Sequence, residues 1–190
     1  MSRIRHWRTI AASLATVLSV LALATARAEP SGASACVRPD FRVVLDVGHT
    51  ARSPGAKSAR GVDEFDFNLR LAKLIDQALL ESGFAKTILM VSDGRANQSL
   101  YARVARANGL SANLLLSIHH DAVPDRFLER WEYDSKRRGF SDRFKGHSIF
   151  ISHDNPDPKD SLLFGSMAID GLAVDHPGSR AQILDAPVGA

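Results

Sequence analysis

Residues 117–122 read SIHHDA, two adjacent histidines and an aspartate directly behind the apolar run NLLL. A buried strand that ends in imidazoles needs a reason, because histidine is accepted inside a protein mainly when its nitrogens are hydrogen-bonded or bound to metal. Taken alone, such a pair is more often partly exposed and hydrogen-bonded than ligating. Two other residues change the picture. His49 stands just past the β-branched run FRVVLDV and Gly48, and Glu64 opens the segment EFDFNLRLAKLIDQALLESG. Two imidazoles and a carboxylate that leave a fourth position open make a catalytic zinc site, where the metal lowers the pKa of its bound water and polarises a carbonyl. His49, Glu64 and His119 are dispersed along the chain rather than packed into an HExxH helix, so their spacing alone argues weakly for metal.

The elements that must bring these residues together follow from the hydrophobic pattern. FRVVLDV reads as a buried strand, and GHTARSPGAKSARG, rich in Gly, Ser and Pro, as a loop. The segment from Glu64 carries Leu71, Ile75, Ala78 and Leu79 at helical spacing, with Gly83 placed to end a helix. KTILMVS is a strand, NQSLYARVARANGL a helix with Leu100, Val104 and Ala107 on one side, and NLLLSI a third strand. This alternation predicts an α/β fold, a mostly parallel sheet covered by helices on both faces. Ligands of such sheets gather at the carboxyl ends of the strands, where His49 and His119 both stand.

Residues 123–146, dense in charge and aromatics, read as a long loop beside the site. Trp131, Tyr133 and Phe140 offer stacking surfaces for sugar or peptide, and Arg137 and Arg138 offer partners for carboxylates; a solvated charged loop is the plainer reading. HSIFIS then reads as a strand, HDNPDP as a turn-rich link and KDSLLFGSMAIDGLA as a helix. No element is assignable in the tail from Val174, and His147, His153 and His176 read as surface residues.

At 190 residues, with 45% hydrophobic and 24% charged, the chain is long enough for one domain with a proper core. Its start has the form of a secretory signal peptide over residues 1–28: basic MSRIRHWR, apolar TIAASLATVLSVLALA, and the cleavage site ARA ending at Ala28. No Arg-Arg pair points to the twin-arginine route, and after cleavage no stable membrane anchor is expected. The segment takes four arginines and no acid with it, so 24 basic residues fall to 20 against 21 acidic ones. The basic balance therefore belongs to the leader and gives no support for a nucleic-acid partner. Residues 29–40 read as a flexible lead-in containing Cys36, a free thiol, and residues 41–190 as the functional domain of an exported, periplasmic or extracellular protein.

The stretches VVLDVGHTARSPGA, GVDEFDFNLRLAKLIDQALLESGF, SLYARVARANGLSANLLLSIHHDA and FKGHSIFIS together resemble the zinc-dependent N-acetylmuramoyl-L-alanine amidases of the amidase_3 type, cell-wall hydrolases. The likeness rests on a strand ending in D-x-G-H, an E-x-x-x-N-L helix start, an R-x-x-x-A-N helix and a strand ending in S-I-H, in that order from about Phe41 to Ser152. It implies zinc held by His49, Glu64 and His119, peptidoglycan as partner, and hydrolysis of the amide between N-acetylmuramic acid and L-alanine. It also leaves room for a regulatory protein partner. On this register His119 faces the metal, while His120 points away or toward the following loop, either exposed or in support. Asp46 would orient a ligand histidine or cap a turn, Asn68 would secure the loop-to-helix junction or stand exposed in the first turn of its helix, and Arg103 and Asn108 would lie on the polar side of their helix.

The family's second glutamate, the general base in a V-E-x-G-F-like strand, has no counterpart, since no glutamate follows Glu132. The final strand is accordingly expected to be missing, with activity in doubt. Two other readings follow: a non-catalytic peptidoglycan-binding module, and a zinc peptidase or deacetylase of the same general chemistry.

Overall fold

The computed structural model describes residues 36–175 and 180–185, without the side chains of 96–99, 173–175 and 180–185. The expected signal peptide, most of the lead-in and His176 lie outside these residues. Cys36 is exposed.

The central strand β1 (Val43–Val47) pairs in parallel with β2 (Ile88–Met90) on one side and β3 (Leu114–Ile118) on the other. All five residues of β1 are buried, as expected of a strand covered on both faces. Helix α1 (Glu64–Glu81) covers one face, where Ala72 packs with Val47 and Ile118. Helix α2 (Ala96–Gly109) covers the other, where Ala107 packs with Val44 and Met90. The α/β arrangement expected from the sequence is present.

The buried stripes of the helices differ from the apolar ones. In α1 the buried residues are Glu64, Asn68 and Ala72, while Leu71 is 39% exposed. In α2 Ala107 enters the core with Arg103, one turn earlier, while Leu100 and Val104 stay exposed. The α2 stripe matches β1 in length. Four residues of helix rise about 6 Å, and two residues of strand about 6.6 Å, so Ala107 meets Val44 as Arg103 meets Asp46.

The expected loop 123–146 is largely ordered, which corrects the sequence reading. After a single 3-10 turn (Asp125–Phe127), β4 (Glu129–Tyr133) and β5 (Lys136–Phe140) form an antiparallel hairpin. Its two turn residues, Asp134 and Ser135, have φ of 53° and 54°, the left-handed pair that tight hairpins use. A second correction concerns the tail. β6 (Gly146–Ile151) pairs in parallel with β7 (Arg180–Asp185) after the crossover helix α3 (Pro158–Asp175). Among the described residues no helix is long and apolar enough to cross a membrane.

Candidate metal centre

The three expected ligand residues meet. His49 follows β1, Glu64 is the first residue of α1, and His119 follows β3, with candidate ligand atoms all within 4.8 Å of one another. Glu64 sits between the imidazoles: its Oε2 is 3.1 Å from His49 Nε2 and its Oε1 3.1 Å from His119 Nδ1. The two rings are edge to face with centroids 5.0 Å apart. Glu64 is only 5% exposed, His49 25% and His119 44%, so the site opens on the His119 side.

The backbone is shaped for this approach. His49 has φ of 65°, a left-handed conformation that costs energy in a non-glycine residue and persists where its surroundings hold it. Gly48 donates its N–H to Ile118 O at 3.0 Å. A Cβ there would fall 2.4 Å from that oxygen and 2.5 Å from His119 Nε2. Gly48→Ala should therefore push β1 and β3 apart and cost about 1–3 kcal/mol of stability, checked by urea denaturation; an unchanged midpoint would refute the close approach.

The carboxylate of Glu64 is held on all sides. The N–H of Ala56 donates to Oε2 and that of His120 to Oε1, each at 3.0 Å. Burial pushes the Glu64 carboxyl up. Those two amides, the electrostatic influence of the neighbouring His49 imidazole and the Asn68 amide pull it down, and together they outweigh burial, so the net shift is downward. The stability this adds is present above the unfolded carboxyl range and is lost as pH falls through the lower folded value.

Fully buried Asn68 explains the histidine pair. Its Nδ2 donates to Gly48 O at 3.0 Å. This turns Oδ1 toward His120, whose Nδ1 therefore donates to it at 2.6 Å. His120 stands outside the triad and combines the two expected roles: its ring is exposed yet tethered to Asn68, with Phe67 beside it, and its main-chain N–H serves Glu64.

Arg103 differs from its reading as a polar outer-side residue, and Asp46 reaches His49 only indirectly. Arg103 is buried, and it donates to Asp46 Oδ1 and Oδ2 at 3.0 and 3.1 Å, to Val47 O at 2.7 Å and to His49 O. Ser117 adds a 2.8 Å hydrogen bond to Asp46. Asp46 thus orients His49 through Arg103 and the main chain, without touching its ring. Asn108 is exposed, as expected.

The hairpin braces the loop after His49. Trp131 Nε1 donates to Ala59 O at 3.0 Å, and the Arg138 guanidinium lies against Gly61, whose φ of 81° suits glycine. Of the three aromatic residues, Tyr133 is the exposed one; it stacks on Trp131, which Phe140 meets edge-on. His147 departs from the surface reading, since its Nε2 is shielded without a hydrogen-bond partner among the described residues, whereas His153 is exposed. Sequence reasoning missed Thr50, fully buried, whose Oγ1 donates to Gly94 O at 2.6 Å. A threonine in a Gly/Ser/Pro-rich loop gives no signal of that contact.

These features define an α/β domain with a candidate metal-binding triad at the carboxyl edge of its sheet. Residues 43–184 match the Amidase_3 family, N-acetylmuramoyl-L-alanine amidase, and the chain belongs to that family. The endolysin of Bacillus phage SPP1 is 32% identical over 82 residues, 43% of this chain and 30% of that protein. A protein of Buchnera aphidicola subsp. Baizongia pistaciae is 31% identical over 84 residues, 44% of this chain and 38% of its own length. The chain thus matches well under half the length of these curated relatives. Among solved structures, the N-acetylmuramoyl-L-alanine amidase of Clostridium difficile 630 superposes with a TM-score of 0.57 at 21% identity, covering 76% of this chain and 69% of that one. Amidase AmiC2 of Nostoc punctiforme gives 0.53 at 19% identity, covering 77% and 69%. At such identities the likeness is one of fold.

Proposed function

We propose that this chain hydrolyses, outside the cytoplasm, the amide bond between N-acetylmuramic acid and L-alanine in peptidoglycan, using zinc held by His49, Glu64 and His119. The observation that carries this reading is the convergence of those three residues within 4.8 Å in a member of the amidase family. Two imidazole nitrogens and one carboxylate suit zinc and leave a position for water or substrate. When bound, zinc supplies Lewis acidity, polarising the scissile carbonyl and acidifying water.

The chain's own residues prepare the site. Arg103 fixes the main chain at His49, and Asn68 with the His120 and Ala56 amides fixes the Glu64 carboxylate. The exposed side of His119 is where a substrate carbonyl can enter. A residue that moves the proton is also required. Glu64 is committed to its histidine and amide contacts, which favours as a second reading a peptidoglycan-binding module.

The test is digestion of purified muropeptides by the full chain, with products read by mass spectrometry. A new L-alanine amino terminus beside an intact sugar supports the amidase. Cleavage elsewhere in the peptide or at an N-acetyl group transfers the site to a peptidase or deacetylase. Wall binding without turnover supports the module.

A further inference from the structure

The strongest feature outside the triad is a cleft of about 450 Å³ between the segment leaving β2 and the side of α2. Asp93, Gly94, Arg95, Arg103 and Arg106 are among its lining residues. It opens at the carboxyl end of β2, the strand next to β1, and so on the same edge of the sheet as His49 and His119. Two hydrogen bonds join it to the metal centre. Thr50, next to His49, donates to Gly94 O, and Arg103, which lines the cleft, donates to His49 O.

The charge of the cleft is one-sided. Arg103 is neutralised by buried Asp46. Asp93, the one carboxylate in the lining, pairs with Arg52 at 3.5 Å and also accepts the N–H of Gly94. Arg95 and Arg106 are exposed, and neither has a carboxylate within 4.0 Å among the described residues. After the pairs cancel, two guanidinium groups remain facing a concave space large enough for a short peptide. A guanidinium presents a planar fork of N–H donors that matches a carboxylate in two-point contact.

We propose that this cleft binds the free carboxylates of the stem peptide, on the L-alanine side of the scissile amide, with Arg95 and Arg106 as the recognising residues. The inference rests on the amidase reading for the identity of its ligand. It also gives the substrate a direction. The peptide runs over the segment leaving β2 and along the side of α2, and the sugar lies on the other side of the triad, toward the loop that the β4–β5 hairpin braces.

The experiment is calorimetric binding of a synthetic stem peptide that begins with L-alanine and carries free carboxylates, beside the same peptide with every carboxylate amidated. The full chain is compared with its R95Q/R106Q variant, whose exposed side chains can change without disturbing the core; circular dichroism verifies the fold. The wild-type chain should prefer the acid peptide about tenfold, as two exposed charge pairs allow, with the preference shrinking in salt. In the variant the two peptides should bind alike. Equal affinity for both peptides in the wild-type chain, or an undiminished preference in the variant, overturns the proposal. Since the readout needs no turnover, an inactive protein that keeps the Arg-dependent preference removes the amidase reading alone. An active one without the preference removes the cleft alone.

Discussion

One zinc per chain is the expected result of elemental analysis on the purified protein, falling below a tenth of that in each of His49→Ala, Glu64→Ala and His119→Ala after dialysis. The expectation follows from geometry, because three donors within 4.8 Å are the whole of the candidate site among the described residues, and a two-donor remnant has little to hold a divalent ion. His120→Ala should keep its zinc at saturation but bind it about tenfold more weakly. The ring's tether to Asn68 is lost, while the main-chain N–H that serves Glu64 remains. Undiminished zinc in all three ligand variants would end the metal assignment. Loss in His120→Ala equal to that in His119→Ala would mean that the imidazoles had been given the wrong roles.

The second large effect concerns Asp46 and Arg103, which are both buried and paired at 3.0 Å. Arg103→Ala leaves a buried carboxylate whose remaining side-chain partner among the described residues is the Ser117 hydroxyl at 2.8 Å, and should cost about 3–5 kcal/mol. It also frees the carbonyls of Val47 and His49, so the left-handed turn at His49 loses a support and zinc affinity should fall with stability. Replacing both partners, in Asp46→Leu with Arg103→Leu, should cost less than the arginine variant alone, because no unpaired charge is left inside. Urea denaturation of the two single variants and the double one measures this coupling. A double variant less stable than either single one would show that the pair acts through its separate backbone contacts and not through charge.

The place of the candidate site was legible because it depends on residue type and strand ends. An apolar run that stops at a histidine declares both a buried strand and a polar group at its carboxyl edge, and this holds for His49 and for His119. The helix from Glu64 was equally plain, since its period of 3.6 runs over 18 residues and ends before Gly83, which takes φ of 90°. The hairpin was hidden because ERWEY and KRRGF are charged and largely exposed; strand pairing there is set by a two-residue turn and cross-strand contacts, not by an apolar face. β7 was hidden for a related reason, as a short run in a polar tail has no partner in the sequence, and its pairing with β6 exists only once α3 has carried the chain back.

By itself, then, the sequence determined the α/β order and the ends of the core strands, which follow from local pattern, while the resemblance to the amidase family singled out the three candidate ligand residues that the structure brings together. Only the tertiary structure decided how the polar residues divide the work. Arg103 and Asn68 look like outer-face residues on a helical pattern, yet each is buried, because the strand ends they cover expose main-chain carbonyls and carboxylates that must find donors. The same requirement separates the two neighbours in the opening motif. Adjacent side chains leave a strand in different directions, so His119 meets Glu64 while His120 closes on Asn68, a difference no spacing along the chain reveals.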